Sequence, residues 1–251
     1  MAYCILNLIE KRSDAICGEV NSFRGGDMTK DRLEKQLAFV LEIDKLKNVF
    51  RQTHLSGNGR KENDSEHSWH MAIMAYLLKE YANESIDVAK AMLMCLIHDI
   101  VEIDAGDTYA YDTEGLKTQK LREDAAKRRI FSILPDEQAA ELTALFDEFE
   151  ACETPEAKFA HAMDNLQPLL LNNSNDGGDW RAHNVTAEQV YRRQRKTEQG
   201  SKRLFDLSDG IIRENIRKGN LKEYSVLQWK SRRPTGRHEP KSRLDDGDAI
   251  G

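Results

Sequence analysis

Cysteine and proline are scarce in this chain of 251 residues. It has 4 cysteines, and their spacing includes no CxxC pair and no pattern typical of a disulfide framework. We therefore expect a reducing compartment, the cytoplasm. With only 5 prolines beside 15 glycines, the composition also excludes collagen-like and low-complexity chains.

Long apolar runs and an excess of positive charge are also missing. No apolar stretch approaches the roughly 20 residues that a membrane-spanning helix needs, and the short apolar patch near the start lacks the basic region of a signal peptide. The 37 Lys and Arg residues are outnumbered by 43 Asp and Glu, which leaves a net charge of −6. Because that charge would repel phosphate backbones, we expect neither a membrane nor a nucleic-acid polymer as a partner.

Several motifs that carry well-known chemistry are absent as well. The chain has no Walker-type phosphate loop, no GxGxxG after a strand, no GxSxG elbow and no zinc-finger spacing. What remains is a set of histidine and acidic residues that the sequence places on separate helices.

Apolar residues recur at three- and four-residue steps through most of the chain, and this period predicts helices. One helix is expected to start at Asn63, with Glu66 completing a capping box, and another at Thr154, which Pro155 follows. A single helix is expected from residue 186 to about residue 217. Because no segment alternates convincingly between apolar and polar residues, and no repeat is found, the predicted fold class is all-α.

The two ends of the chain differ from its middle. Residues 1–27 finish in a glycine-containing stretch, and we expect them to form a flexible extension ahead of the domain. Residues 28–220 carry the helical pattern and are predicted to form one domain. Residues 221–251 are mostly polar, so we expect a largely disordered tail.

A charged cluster, His98-Asp99-Ile100-Val101-Glu102, closes an otherwise apolar helix. Charged side chains at such a place are costly unless something binds them. The spacing of His98, Asp99 and Glu102 lets their three side chains lean toward one side of the last helical turn. A His-Asp dipeptide alone is weak evidence, since a helix-end histidine beside a surface aspartate gives the same letters.

Two further residues favour a metal site. His67 lies in the first turn of an earlier helix, and Asp164 lies on an otherwise apolar helix, where a buried carboxylate needs a partner or a metal. With His98 and Asp99 they make a set of two imidazoles and two carboxylates, which suits a divalent ion such as Mn, Fe, Co, Ni or Zn. Glu102 is then placed to handle the proton of a water molecule.

The order H…HD…D on separate helices resembles that of the HD-domain metal-dependent phosphohydrolases. Further runs extend the likeness to the bacterial 5′-deoxynucleotidases and their eukaryotic HD-domain-containing relatives. These runs are Glu66-His67-Ser68, His98-Asp99-x-x-Glu102-x-x-x-Gly106-Asp107, and residues 153–159 ahead of Asp164. The resemblance covers about residues 30–217.

This resemblance implies a single helical bundle that binds a divalent metal ion (Mn, Co, Fe, Ni, Zn or Mg). It assigns activation of the attacking water to Glu102 and a position at the sugar end of the substrate to Asp107. The residues that it assigns to the metal are His67, His98, Asp99 and Asp164. It also implies a homodimer that acts on deoxynucleoside monophosphates.

Two departures from the relatives concern the substrate. The related deoxynucleotidases carry an Arg-Trp pair just before the first motif, whereas here Val49-Phe50-Arg51-Gln52 precedes a glycine-containing insertion. The loop 108–113 also lacks their usual proline. Arg60 is expected to hold the phosphate, because a guanidinium can bind phosphate through two hydrogen bonds. The alternative for Arg60 is a loop charge paired with Glu66.

The sequence therefore predicts a metal-dependent phosphomonoester hydrolase, and a 5′-nucleotidase in particular. Two alternatives stay open: hydrolysis of a different small phosphoester, and a non-catalytic module of the same fold that senses a nucleotide. A degenerate module would be expected to have lost a metal ligand or the glutamate, and none of them is missing.

Overall fold

The computed structural model describes residues 28–222, so the predictions for residues 1–27 and for most of the tail lie outside the described residues. Within that range the chain is helical apart from one small hairpin, and the all-α prediction is confirmed. In chain order the elements are α1 (Met28–Ile43), β1 (Phe50–His54), β2 (Lys61–Asn63), α2 (Asp64–Leu78), α3 (Val88–Ile97), α4 (Glu102–Ala105), α5 (Leu116–Phe131), α6 (Asp136–Ala151), α7 (Pro155–Ser174), α8 (Gly178–Ala182), α9 (Ala187–Gly200) and α10 (Lys202–Arg217). Short 3₁₀ helices, Asp44–Asn48 and Lys79–Tyr81, follow α1 and α2.

Two helices begin where their capping signals predict. At the start of α2, the Asn63 side chain accepts a hydrogen bond from Glu66 N at 2.9 Å, and Glu66 Oε2 accepts one from Asn63 N at 3.1 Å. At the start of α7, Thr154 Oγ1 accepts a hydrogen bond from Ala157 N. Such caps satisfy backbone donors that have no partner within the helix, and each contributes about 1 kcal/mol. Both helices carry residues of the site.

The hairpin is a feature that the sequence analysis missed. Strands β1 and β2 pair antiparallel, with Phe50 opposite Asn63 and His54 opposite Lys61. Gly57 and Asn58 reverse the chain between them in left-handed backbone conformations, at φ 74° and 56°. The hairpin places β1 directly beside the helices that carry the metal-ligand candidates.

The helix expected from residue 186 to 217 is interrupted. Helix α9 ends at Gly200, Ser201 is extended with φ −155°, and the Ser201 hydroxyl accepts a hydrogen bond from Leu204 N to cap α10. A Cβ atom on Gly200 would collide with the carbonyl oxygen of Lys158. The absence of a side chain at Gly200 therefore lets the end of α9 pack closely against the start of α7.

Helix α7 lies at the centre of the molecule and is buried along most of its length. Its Phe159 and Met163 are fully buried, and Leu166 is nearly so, in a core shared with α2, α3, α9 and α10. Polar side chains on α7 therefore point into an interior where each needs a partner. No helix among residues 28–222 combines the length and apolarity required to cross a membrane.

Ordered packing continues slightly past residue 220. Leu221 is 2% exposed and joins the core, and Ala187 N donates a hydrogen bond to the carbonyl oxygen of Lys222 at 3.2 Å. Helix α1 packs less completely: its Phe39 is buried and its Ile43 is partly buried, but four other apolar residues are exposed by 54–73%. These exposed residues are Leu33, Leu37, Val40 and Leu41.

Candidate metal centre

Three of the four predicted metal ligands converge. His67 lies in the first turn of α2, Asp164 lies midway along α7, and His98 follows the last residue of α3. One ligand atom from each of the three side chains lies within 4.8 Å of the others. His67 Nε2 and Asp164 Oδ1 lie 3.3 Å apart. His67 is completely buried, so this cluster lies at the floor of the site.

The His-Asp motif lies in a tight turn rather than in the last turn of a helix. Helix α3 ends at Ile97. Beyond it, backbone hydrogen bonds join residues three apart: Ile100 N donates to Ile97 O at 3.1 Å, and Glu102 N donates to Asp99 O at 2.9 Å. Such bonds wind the backbone more tightly than an α-helix does. The turn joins α3 to α4 and directs His98, Asp99 and Glu102 toward the same cavity.

His98 presents one ring nitrogen to the cluster. Its Nδ1 donates a hydrogen bond to the Cys95 carbonyl oxygen at 2.9 Å, which leaves the lone pair of Nε2 for another partner. Nε2 is buried and has no hydrogen-bond partner among the described residues. Asp99 Oδ1 lies 3.0 Å from Nε2, but that contact lacks hydrogen-bond geometry. Asp99 therefore adjoins the three-residue cluster through His98.

Arg51, on β1, is the functional candidate that the sequence analysis did not select. Its Nη1 donates to Asp99 Oδ2 at 2.9 Å and to Asp64 Oδ1 at 3.3 Å, and it lies 4.0 Å from Asp107 Oδ1. The guanidinium is 11% exposed and lines the cavity. Its position just ahead of the first motif, where relatives have an Arg-Trp pair, was the available signal.

Arg60 is not brought to this cavity. Its guanidinium is 55% exposed and binds both carboxylate oxygens of Glu66. This is the alternative that the sequence left open for Arg60, a loop charge paired with Glu66. Arg51 thus occupies the place by the cluster that the sequence analysis gave to Arg60.

Proton affinities in this site follow from the burial and charge of its side chains. Burial alone would lower the pKa of His98, but the Asp99 carboxylate outweighs it and raises that pKa to about 9. Burial, followed by repulsion from Arg51, lowers the pKa of His67 to about 4. For Asp99, burial is outweighed by attraction to His98 and Arg51, so its pKa falls well below the usual value. A proton and a metal ion therefore compete for His98 Nε2.

Glu102 is buried and one of its oxygens, Oε2, has no hydrogen-bond partner among the described residues. Burial, reinforced by repulsion from Asp99 and Asp107, raises the pKa of Glu102 to about 10. The carboxyl group consequently has a high affinity for a proton. A buried titratable group with a shifted pKa, placed in a cavity, is typical of catalytic sites.

Asp107 and Arg193 also belong to the polar lining of the cavity. Gly106, at φ 73°, turns the chain after α4, and Asp107 follows it into the cavity. Burial raises the pKa of Asp107. On the α7 side, Arg193 Nη2 lies 3.2 Å from Asp164 Oδ1; burial of Asp164 is outweighed chiefly by this cation, which lowers its pKa.

The cavity has a volume of about 550 Å³, within the range of small-molecule sites. Besides the acidic and basic groups already described, it is lined by Tyr109, Tyr111 and Trp180. It therefore combines a charged region suited to a phosphate with aromatic surface suited to an organic group.

The donor set fits a divalent metal ion. Two imidazoles and one carboxylate converge within 4.8 Å, and a further carboxylate, Asp99, adjoins them. Imidazole nitrogen with carboxylate oxygen is a usual environment for first-row divalent ions. The buried Nε2 of His98 has no hydrogen-bond partner within residues 28–222, as expected of an atom that binds a metal ion.

Comparison with known proteins agrees with this site. The family model described as HD domain matches residues 43–205, a range that contains the whole cluster. A crystal structure of a predicted metal-dependent phosphohydrolase from Magnetospirillum magnetotacticum MS-1 is 48% identical, has a TM-score of 0.75, and covers 78% of this chain and 99% of its own. A Pyrococcus horikoshii OT3 protein at 22% identity, with a TM-score of 0.51 over 70% of this chain and 98% of its own, supports the fold alone.

Curated relatives match a shorter part of the chain. The human protein named 5′-deoxynucleotidase HDDC2 is 30% identical over 135 residues, which is 53% of this chain and 65% of the human protein. A protein named 5′-deoxynucleotidase from Enterobacter sp. strain 638 is 27% identical over 126 residues, 47% of this chain and 63% of its own. The chain thus spans somewhat less than two thirds of the length of these relatives.

Proposed function

We propose that this chain, which belongs to the HD domain family, is a metal-dependent phosphohydrolase that removes the 5′-phosphate of deoxynucleoside monophosphates. The observation that carries the proposal is the convergence of His67, His98 and Asp164, with Asp99 adjoining His98 and Glu102 lining the same cavity. The similarity to proteins named 5′-deoxynucleotidase supports the choice of substrate.

His67, His98, Asp99 and Asp164 would hold the divalent ion. When bound, such an ion lowers the pKa of a water molecule and neutralises charge on a phosphoryl group. The chain supplies the rest of the electrostatics. Arg193 offsets the charge of Asp164, and Arg51 offsets that of Asp99, so that a dianionic phosphate meets a less negative site.

Arg51 is proposed to bind a phosphoryl oxygen of the substrate. Its guanidinium faces three aspartates and lines the cavity, so it can exchange part of these contacts for a phosphate. A planar guanidinium matches phosphate geometry and stays charged at all working pH values. This binding would fix the phosphorus beside Glu102.

Glu102 is proposed to move the proton of the reaction. An oxygen of water forms a bond to phosphorus while the ester P–O bond breaks. The proton lost by the water goes to the Glu102 carboxylate and then to the departing 5′-oxygen of the nucleoside. Glu102 lines the cavity, and its Oε2 has no hydrogen-bond partner among the described residues, which supports this role.

A substrate panel tests the proposed function. Purified full-length chain is stripped of metal and assayed with 2′-deoxynucleoside and ribonucleoside monophosphates and with an aryl phosphate, each with Mn²⁺, Co²⁺, Ni²⁺, Zn²⁺ or Mg²⁺. Metal-dependent release of phosphate from deoxynucleotides supports the proposal. Turnover of the aryl phosphate alone favours a different phosphoester, and binding without turnover favours a nucleotide sensor.

Asp107 offers a sharper test of the sugar assignment. Its carboxylate makes no hydrogen bond to the backbone of Tyr109 or Ala110 within the described residues, so a loop-capping role has no contact to support it. Changing Asp107 to Ala is expected to lower kcat/KM for a deoxynucleoside monophosphate about tenfold or more, since a hydrogen bond to a charged group contributes about 1.5–3 kcal/mol. Turnover of an aryl phosphate, which has no sugar, should change little. Equal losses on both substrates would contradict the sugar role.

We also propose a homodimer. One face of α2 exposes Trp69, Ile73 and Tyr76 at 62%, 41% and 53%, and Leu93 and Leu96 are exposed on the adjoining α3. Soluble monomers rarely expose large contiguous apolar patches, and a second copy would cover this one. Sedimentation of the 28.7 kDa chain should give twice that mass, and Trp69→Glu should give the monomer. A monomeric wild-type chain at micromolar concentration would exclude this assembly.

A cytoplasmic location completes the proposal. Cys95 and Cys152 both have free thiols, and burial raises the pKa of the Cys95 thiol. Unpaired, unreactive cysteines suit a reducing compartment.

A further inference from the structure

A chain of buried hydrogen bonds lies behind His67, on the side of the ring away from the cluster. His67 Nδ1 donates to Gln167 Oε1 at 3.0 Å, and Gln167 Nε2 donates to Glu62 Oε1 at 2.6 Å. Gln167 and His67 are completely buried, and Glu62 is 1% exposed. Gln167 follows Asp164 by one turn of α7, so the same helix supports the ligand atom and the residue behind His67.

The amide of Gln167 has a single orientation that satisfies these contacts. Its nitrogen carries two hydrogens, and two acceptors face it: Glu62 Oε1 at 2.6 Å and His70 Nδ1 at 3.2 Å. Turning the amide over would set its oxygen against the Glu62 oxygen and leave both without a donor. The Gln167 oxygen is therefore held toward His67.

That orientation determines which nitrogen of His67 carries the hydrogen. A carbonyl oxygen facing Nδ1 requires a hydrogen on Nδ1, since a lone pair there would meet another lone pair. Neutral imidazole has only one N–H, so Nε2 is left with its lone pair. Nε2 faces Asp164 Oδ1 at 3.3 Å, within the metal-ligand cluster. Since both atoms then offer lone pairs, a divalent ion bound by both would remove the repulsion between them.

We infer that Gln167 is a positioning residue for the metal site: oriented by Glu62 and His70, it fixes the tautomer and the ring angle of His67 for metal binding. The inference rests on the proposed metal site and adds a residue that touches neither metal nor substrate. Residues that hold a ligand histidine in this way typically change metal affinity about 10- to 100-fold when they are replaced.

Metal affinity of the full-length chain tests this role. Mn²⁺ binding to the stripped protein is measured by calorimetric titration for the wild type and four variants. Gln167→Met keeps the side-chain length and removes the amide, and should weaken Mn²⁺ binding about 10- to 100-fold. Glu62→Met frees the Gln167 amide to turn and should also weaken binding. Glu62→Gln can present an oxygen to Gln167 Nε2 and should restore most of the affinity.

Gln194→Met is the matched control. Gln194 is 1% exposed and its Nε2 donates to the carbonyl oxygen of Asn165 at 2.7 Å, so this variant also removes a buried amide. Its melting temperature should fall as that of Gln167→Met does, while its Mn²⁺ affinity stays within about twofold of the wild type. Similar affinity in Gln167→Met and Gln194→Met would overturn the inference, as would equal losses in Glu62→Met and Glu62→Gln.

A second measurement needs no metal. Nitrogen-15 chemical shifts of the wild-type imidazoles, with the His67 signals assigned by their loss in His67→Gln, report which ring nitrogen is protonated. We expect the hydrogen on Nδ1 of His67, and finding it on Nε2 would overturn the inference. A wild-type chain that binds no divalent ion would instead contradict the proposed function, so the two failures are distinguishable.

Discussion

Changing Asp99 to Ala is expected to remove most of the bound divalent metal and to lower turnover about a thousandfold, equivalent to ~4 kcal/mol in the barrier. The variant deletes a buried carboxylate that lies 3.0 Å from His98 Nε2. It also removes the 2.9 Å partner of Arg51, whose remaining close carboxylate is Asp64 at 3.3 Å. Elemental analysis of the purified protein and a phosphate-release assay measure the two losses separately.

Asp104→Ala provides the control for that experiment. Asp104 is exposed on α4, five residues from Asp99, and its Oδ1 binds Arg129 Nη2 at 2.8 Å. An exposed ion pair of this kind contributes at most about 1 kcal/mol to stability, so metal content and turnover should match the wild type. Stoichiometric metal in purified Asp99→Ala would show that the proposed ligand set is wrong.

The Glu102→Gln variant should separate metal binding from proton transfer. It keeps the size of the side chain and removes the carboxylate, so bound metal should remain while kcat falls about a hundredfold or more. Because Glu102 is not one of the three converging ligand atoms, its loss leaves them in place. The measurement is kcat together with metal content for the same preparation.

Glu114→Gln is the corresponding control, since Glu114 is exposed and pairs with Lys117 outside the cavity. It should retain full activity. An unchanged rate in Glu102→Gln would remove Glu102 from the mechanism and leave water activation to the metal alone. Loss of metal together with activity would instead make Glu102 part of the ligand set.

Features set by neighbours in the sequence were predictable from the sequence. The starts of α2 and α7 depend on hydrogen bonds within three residues, at Asn63 with Glu66 and at Thr154 with Ala157. The His-Asp motif and its accompanying acids indicated a metal site, because those residue types are costly to bury without a ligand. Their order along the chain carried the resemblance to the family. The confirmed fold class follows from the same helical period.

Features that depend on distant contacts were not predictable in this way. Strand β1 has five residues and pairs with only three in β2, too little alternation to be recognised. With the hairpin missed, only its position ahead of the first motif could favour Arg51 over Arg60 as the basic residue at the cavity. Local sequence also favoured one helix through Gly200, although contact with the Lys158 carbonyl requires a glycine there and Ser201 starts a new helix.

Buried polar networks show the same limit. Gln167 follows Asp164 by three residues, and from the sequence alone a glutamine there is expected on the surface of the helix. Only the packing of α7 against α2 shows that it faces His67, Glu62 and His70. In α1 the sequence predicts the helix but not its burial. Apolar residues recur at a helical period there, yet Leu33 and Leu41 are exposed in the structure.

The candidate ligands come from three separate parts of the fold: α2, the turn after α3, and α7. No short fragment of the chain contains them all, so an ion that binds the site binds the native state and not the unfolded chain. Metal binding at this site would therefore stabilise the folded chain against heat. Free ion at a hundred times its Kd would add about 2.7 kcal/mol to the free energy of unfolding. A chelator in a purification buffer would remove that protection, and heating tolerance would track the supply of trace metals in the growth medium.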